Sequence, residues 1–195
     1  MPLRIGVSTG GGDAPGLNAV IRAIVKHAVG GLHWQVVGIE DAFQGLLETP
    51  RRLVSLDLPA CKGILTLGGT ILGTSNHGDP FAWRMPDGSI RDRSLEIAEA
   101  VREEGLDGLV IIGGDGSQKI ALRLMRERGI PVVGVPKTID NDLSATDLTF
   151  GFMSAVQAAT DALDRLHTTA EAHDRVMILE VMGRDAGWIA LHAGI

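Results

Sequence analysis

The stretch that most constrains the fold is residues 108–142, where two short apolar runs flank a helical pattern and lead into an acidic loop. The apolar runs, residues 108–112 and 131–135, are rich in branched side chains, which predicts strands buried on both faces of a parallel sheet. The pattern between them predicts a helix that is capped by Ser117 and stopped by Gly129. Strand, helix and strand in this order predict a right-handed crossover in an open α/β sheet.

Three aspartates follow these two strands, at positions where open α/β sheets bind ligands. Asp115 lies in the glycine turn after the first strand, and Asp140 and Asp142 lie in the loop after the second. Because both strand ends meet at one edge of the sheet, we expect the carboxylates to face one crevice. Asp115 suits a metal ion and Asp140 suits a base, as phosphoryl transfer requires. Turn formation and capping are the alternative roles of Asp140 and Asp142.

The rest of the chain also alternates strands and helices, which predicts a mostly parallel, doubly wound, Rossmann-like α/β sheet. Further strands are predicted at residues 3–8, 35–39 and 176–181. Further helices are predicted at residues 17–29, 94–104 and 152–168, and after residues 183–187. Residues 41–72 are less regular, and their pattern indicates a short helix, an exposed strand and a helix near residues 61–67.

Composition limits the class of protein and the class of partner. The 195 residues are 45% hydrophobic and 22% charged, which is typical of a globular chain. The formal net charge of −6 gives no electrostatic reason to expect binding to nucleic acid or to a membrane. The single cysteine, Cys61, fits a reducing compartment, and no signal peptide is visible, so we expect a cytoplasmic protein.

Glycine-rich loops occur at residues 10–16, 68–79 and 113–116. None matches a dinucleotide fingerprint or a Walker loop, since Pro15 replaces the third glycine that the fingerprint would need. Glycine nevertheless lets backbone N–H groups approach a phosphate at a helix N-terminus, where the helix dipole favours anions. Together with the aspartates, these loops favour a phosphate-binding site over purely structural turns.

Four motifs, taken together, resemble the 6-phosphofructokinase family. They are GGDAPGLNA at residues 11–19, GGDGS at 113–117, PKTIDND at 136–142 and EVMGR at 180–184, in the family's order and at its spacing. The resemblance implies a glycolytic phosphotransferase that uses Mg²⁺ to transfer a phosphoryl group to the 1-hydroxyl of fructose 6-phosphate. It also implies a homodimer or homotetramer.

The resemblance also implies a domain organisation and a role for each matching residue. Residues 1–150 would form the donor-binding domain, and residues 151–195 would begin the sugar-phosphate-binding domain. The catalytic residues would be Asp140 as the base, Lys137 and Thr138. The donor would be bound by Gly12, Asn76, His77, Gly114, Asp115, Gly116 and Ser117, with Asp115 also holding Mg²⁺. The sugar phosphate would be held by Thr138, Ile139, Asp140, Met182, Gly183 and Arg184, and by Arg175 of a neighbouring subunit.

Some positions depart from the family's pattern. Asn76 stands where the family commonly has an arginine that would bridge the donor and acceptor phosphates, and Arg84 is a candidate substitute. Family members also continue past the position that matches Ile195, so we expect either a fragment or a partial protein.

Position 116 bears on the identity of the phosphoryl donor. Family members that use pyrophosphate typically carry aspartate after Gly-Gly-Asp and lysine before Thr-Ile-Asp, whereas members that use ATP usually have glycine at both positions. This chain has Gly116 and Lys137. Glycine leaves room for the α-phosphate of a nucleotide, so ATP is the favoured donor. Pyrophosphate is the alternative, because Lys137 can stabilise the transferring charge with either donor.

Two other functions remain open. NAD kinases and lipid kinases share the Gly-Gly-Asp-Gly turn, although they give no reason for the motifs at residues 136–142 and 180–184. A non-catalytic sensor of nucleotides or sugar phosphates is compatible with Asn76 and with the length of the chain.

Overall fold

In the computed structural model, which describes residues 2–195, strands and helices alternate along the chain. The strands are β1 (Arg4–Gly10), β2 (Gln35–Ile39), β3 (Leu53–Leu56), β4 (Trp83–Arg84), β5 (Ile90–Arg91), β6 (Gly108–Gly113), β7 (Val132–Thr138) and β8 (Phe150–Gly151). The helices are α1 (Leu17–Val25), α2 (Gln44–Leu47), α3 (Ser94–Glu103), α4 (Asp115–Arg128), α5 (Phe152–Ala172) and α6 (Trp188–Ala193). A π-helical stretch, Lys26–Gly31, continues α1.

Six strands form the main sheet, in the order β3-β2-β1-β6-β7-β8. Only β3 within this sheet runs antiparallel to its neighbour, and β4 pairs with β5 in a separate hairpin. The register aligns Gly10 of β1 with Gly113 of β6, and Gly113 with Pro136 of β7. The carboxyl ends of three adjacent strands therefore lie side by side, and the predicted fold class is confirmed.

Both faces of the sheet are covered, as a doubly wound fold requires. Strand β6 shows this, because Leu109 and Ile111 pack in one hydrophobic cluster while Ile112 packs in another. The first cluster includes Leu124 of α4, and the second includes Ile21 of α1. Strand side chains alternate between faces, so one apolar run supplies both cores. Helices α5 and α6 share a third cluster.

Residues 176–181 do not form the strand that their apolar pattern predicts. Val176 is 92% exposed and Ile178 is 90% exposed. A strand needs a hydrogen-bonded neighbour, and within residues 2–195 none lies beside this segment, since the sheet ends at β8. The prediction was therefore wrong for this segment.

The boundaries of α4 correct one prediction and confirm another. The helix begins at Asp115 with Gly114 before it, so Ser117 lies inside the first turn and is not the N-cap. The helix ends at Gly129, which adopts the left-handed conformation with φ 68°, as predicted.

The helix expected near residues 61–67 is only a 3-10 turn, Ile64–Thr66. Within residues 2–195 no helix is both long enough and apolar enough to cross a membrane.

Ser117 explains why two strands must end in glycine. A Cβ built on Gly10 would lie 2.7 Å from the Ser117 hydroxyl oxygen, and a Cβ on Gly113 would overlap the Ser117 side chain. A Cβ on Gly116 would meet no atom within 4 Å. The requirement for glycine at position 113 is therefore steric, whereas position 116 has free space.

The matched substitutions Gly113→Ala and Gly116→Ala test this difference by urea denaturation of the full-length protein. Gly113→Ala should lower the free energy of unfolding by about 1–3 kcal/mol, because it overpacks the junction of β6 and α4. Gly116→Ala should raise it by up to about 1 kcal/mol, since alanine favours a helix over glycine. Equal effects of the two substitutions would contradict this account of the junction.

Candidate active site

A cleft of about 730 Å³ opens at the carboxyl ends of β1, β6 and β7. The residues predicted for the site that line it are Gly12, Asn76, His77, Gly114, Asp115, Gly116, Ser117, Lys137, Thr138, Asp140 and Arg184. Four other predicted residues are not part of this lining, namely Ile139, Arg175, Met182 and Gly183. The three glycine-rich loops and the acidic loop therefore converge on one cleft, as their positions after the strands suggested.

The loop that carries Asn76 and His77 is fastened to the end of β1. The Gly11 N–H donates to the Ser75 carbonyl at 3.0 Å, and the Thr74 hydroxyl donates to the Gly11 carbonyl at 2.5 Å. These bonds place Asn76 beside the first glycine loop, where its Oδ1 would be 3.9 Å from a Cβ on Gly12. The cleft wall is thus built from two segments far apart in sequence.

Lys137 is the buried cation of the cleft, with only 5% of its surface exposed. Its Nζ donates to the Gly12 carbonyl at 2.5 Å. Burial lowers the pKa of Lys137, while the negative charges of Asp13 and Asp140 act in the opposite direction. Lys137 therefore presents a weakly hydrated ammonium group to the cleft, which suits the stabilisation of an anionic transferring group.

Asp140 is a partly buried acid of the cleft. Among the side chains that the structure describes, its Oδ1 is the buried polar atom without a hydrogen-bond partner. Burial raises the pKa of Asp140, and the like charge of Asp142 raises it further, whereas Arg184 and Lys137 act to lower it. A carboxylate that is desolvated, free to accept a hydrogen bond and raised in pKa has the properties of a general base.

Neighbouring residues, and not Asp140, hold the acidic loop in shape. The Asn141 Oδ1 accepts a hydrogen bond from the Thr149 N–H at 2.9 Å, and the Thr149 hydroxyl donates to the Thr138 carbonyl at 2.7 Å. The Asp140 N–H donates to the Thr138 hydroxyl at 3.1 Å. Asn141 itself adopts a positive φ of 52°. Because the loop is closed by other side chains, its geometry argues against turn formation as the role of the Asp140 carboxylate.

Asp115 begins α4 and forms an ion pair with Lys119, with 2.6 Å between Oδ2 and Nζ. The Lys119 side chain is 72% exposed, so the pair is weak and its carboxylate can exchange partners. Residues 2–195 contain no group of three or more His, Cys, Asp or Glu side chains arranged for a metal. Mg²⁺ bound to phosphorylated ligands commonly uses one or two carboxylates together with phosphate oxygens and waters. The Asp115 carboxylate therefore fits that ion.

The sequence analysis missed two cations that line the cleft, Lys119 and Arg123. They follow Asp115 at intervals of four residues and thus share its face of α4, a spacing that could have identified them. The Arg123 guanidinium also lies 3.7 Å from the centre of the Phe81 ring. Arg84, considered as a substitute for the arginine expected at Asn76, is not among the lining residues.

Comparison with known proteins identifies the family. The family model described as phosphofructokinase matches residues 4–195. The chain belongs to the phosphofructokinase family. This membership argues against the NAD kinase and lipid kinase groups considered above.

Three relatives illustrate how the family resembles this chain. A Chloroflexus aurantiacus protein named ATP-dependent 6-phosphofructokinase is 58% identical over 194 residues, which are 98% of this chain and 53% of that protein. A Streptomyces coelicolor pyrophosphate–fructose 6-phosphate 1-phosphotransferase is 52% identical over 193 residues, 99% of this chain and 54% of that protein. The structure of phosphofructokinase from Saccharomyces cerevisiae matches with a TM-score of 0.81 and 32% identity, over 98% of this chain and 28% of that one. This chain spans about half the length of the curated relatives that it matches.

The charge on Asp140 should reduce the stability of the fold at neutral pH. Because the folded-state pKa is raised, ionised Asp140 opposes folding above its unfolded-state pKa of about 3.9, and protonated Asp140 does not. Asp140→Asn should therefore raise the thermal midpoint at about pH 7, with a gain that shrinks as the pH approaches about 4. Thermal unfolding of the full-length protein across this range measures the effect.

The matched control is Asp147→Asn, which removes a charge from the same loop outside the cleft lining. Its thermal midpoint should change little at either pH. A lower midpoint for Asp140→Asn at neutral pH would show that the ionised carboxylate stabilises the fold.

Proposed function

We propose that the protein containing this chain is an ATP-dependent 6-phosphofructokinase of glycolysis. It would transfer a phosphoryl group from ATP to the 1-hydroxyl of fructose 6-phosphate, giving fructose 1,6-bisphosphate. The observation that carries the proposal is the buried Asp140 Oδ1, which has no hydrogen-bond partner within residues 2–195 and faces the same cleft as Lys137. Family membership supports the substrate class.

In this mechanism Asp140 accepts the proton of the sugar 1-hydroxyl as the oxygen attacks the terminal phosphorus of the donor. The O–H bond breaks, a P–O bond forms to the sugar, and the P–O bond to ADP breaks. The Lys137 ammonium stabilises the negative charge of the group in transfer. Backbone N–H groups of the glycine loops and of the first turn of α4 bind the donor phosphates.

Asp115 would hold Mg²⁺, which supplies neutralisation of the donor phosphate charge when it is bound. The Asp115 carboxylate would exchange its exposed pair with Lys119, whose Nζ lies 2.6 Å from Oδ2, for the ion. Lys119 and Arg123 would then provide positive charge on the donor side of the cleft, where the arginine expected at Asn76 is missing.

The sugar-phosphate side extends beyond the cleft lining. Arg184 lines the cleft and is 78% exposed, so its guanidinium is available to a phosphate. We assign Thr138, Ile139, Met182 and Gly183 to the same subsite. Residues 1–150 would form the donor domain, and residues 151–195 would begin the sugar-phosphate domain.

A neighbouring subunit would complete this subsite. Arg175 follows α5, is exposed and does not line the cleft, which supports its being lent across a subunit interface of a homodimer or homotetramer.

If Asp140 is the base, removing its charge should slow the chemical step. Asp140→Asn in the full-length protein should lower kcat by on the order of 10² to 10⁴ while the KM for fructose 6-phosphate changes little. Coupled assay of ADP release gives both constants. A loss confined to KM would assign Asp140 to binding.

The acid limb of the pH profile provides a control. Asp142 raises the pKa of Asp140 by like-charge repulsion, so Asp142→Asn should lower that pKa and move the acid limb of kcat to lower pH. Asp147→Asn should leave the limb in place. An upward shift with Asp142→Asn would contradict the assignment.

The donor is decided at position 116, where a Cβ would enter open space in the cleft. Gly116→Asp should reduce kcat/KM with ATP by about 10²-fold and with pyrophosphate much less, because the new carboxylate would repel the α-phosphate of ATP, which pyrophosphate lacks, and like charges in a site repel by several kcal/mol. Gly116→Asn has the same shape without the charge and should be milder with ATP.

Pyrophosphate is the second candidate donor, because the buried Lys137 can stabilise a pyrophosphate-derived leaving group and a relative named for that donor is 52% identical. A higher kcat/KM for pyrophosphate than for ATP in the unaltered protein would decide in its favour.

A further inference from the structure

Gln118 joins the two strands that carry the proposed catalytic loops. It lies in the first turn of α4 and does not line the cleft. Its Nε2 donates to the Gly113 carbonyl at 2.9 Å and to the Val135 carbonyl at 2.9 Å. A primary amide carries two N–H donors, so one bond to each of β6 and β7 uses its full donor capacity.

These bonds lie where the pairing of β6 and β7 lacks a backbone donor. Gly113 is opposite Pro136, which has no N–H to contribute to the ladder. Beyond Gly113, the donor-side turn at Gly114 leads into α4 at Asp115, and beyond Pro136, β7 continues to Thr138 and then into the loop that carries Asp140. The amide of Gln118 thus connects the last residue of β6 to Val135 of β7, the strand that leads into the loop carrying Asp140.

Gly134 is shaped to receive this side chain. A Cβ built on Gly134 would overlap the Gln118 Oε1. Its φ does not lie in the left-handed region, so glycine at this position is explained by the close approach of the amide and not by backbone conformation. Two residues on different elements therefore fit one another at the junction.

We propose that Gln118 is a positioning residue for phosphoryl transfer, which fixes the donor-side turn relative to the loop that carries Asp140. This inference rests on the proposed function, since it names a residue that serves the same site. Each substrate would still bind to its own loop without Gln118. The distance between donor and acceptor would change, and misplacement by about 1 Å can cost on the order of 10²-fold in rate.

The test uses Gln118→Met and Gln118→Glu in the full-length protein. Methionine keeps the length without donors, and glutamate keeps the shape but turns an acceptor towards two carbonyls. Both should lower kcat by about 10- to 100-fold per folded active site. The dissociation constants for ATP and fructose 6-phosphate, measured by calorimetry, should stay within about twofold, a separation that a general loss of stability does not produce. An unchanged kcat, or weaker binding alone, would overturn the proposal.

Gly134→Ala tests the same contact from the other strand. It leaves Gln118 in the sequence but occupies the space of its amide, so it should lower kcat to a similar extent. The double variant Gln118→Met/Gly134→Ala should lose no more kcat than either single variant, because both substitutions remove the same interaction. Multiplied losses would contradict the proposal. Arg126→Gln, an exposed change on α4 outside the cleft lining, is the control and should leave kcat unchanged.

Hydrogen exchange separates this inference from the proposed function. In Gln118→Met, the backbone amide hydrogens of residues 113–117 and of residues 137–140 should both exchange faster, because the Gln118 side chain holds both segments. If the unaltered protein transfers phosphoryl groups from neither donor, the proposed function fails. Faster exchange in both segments would then still show that Gln118 holds them together, and faster exchange limited to α4 would overturn this inference.

Discussion

A buried ammonium group at the junction of three strand ends sets the conditions for the rest of the cleft. Removing Lys137 from water costs free energy unless its charge is compensated. Compensation comes from the Gly12 carbonyl, 125 positions away in sequence, and from the fields of Asp13 and Asp140. Gly11 has a φ of 81°, and a Cβ built on it would lie 3.4 Å from the Lys137 Nζ. The first glycine loop is therefore a turn that also supplies the carbonyl to which Lys137 donates.

Two of the three strand ends beside this cation leave no room for a side chain. Gly10, Gly113 and Pro136 stand in register across β1, β6 and β7. Ser117 lies against both glycines, and the Gln118 amide donates to the carbonyls of Gly113 and Val135. The first turn of α4 packs on these strand ends, and its residues Asp115, Gly116 and Ser117 line the cleft. The packing that ends the strands thus also shapes the proposed phosphate site.

The sequence predicted the features that depend on local pattern. Short apolar runs rich in branched side chains, glycine stops and aspartates after strands were sufficient for the sheet class and for bringing Asp115 and Asp140 into one cleft. It could not predict features that depend on a partner elsewhere. Residues 176–181 have strand composition but no neighbouring strand within residues 2–195, and the role of Gln118 is visible only once β7 lies beneath α4.

Burial acts on Asp140 and Lys137 in the direction of their neutral forms, while each favours the charged form of the other. An anionic donor bound in the cleft would add negative charge to this balance. That charge favours the ammonium form of Lys137 and, like Asp142, raises the pKa of Asp140. A bound donor would therefore strengthen the cation that stabilises transfer and make Asp140 a stronger base. The proton of the acceptor hydroxyl would be drawn to Asp140 most strongly when a phosphoryl group is available to replace it.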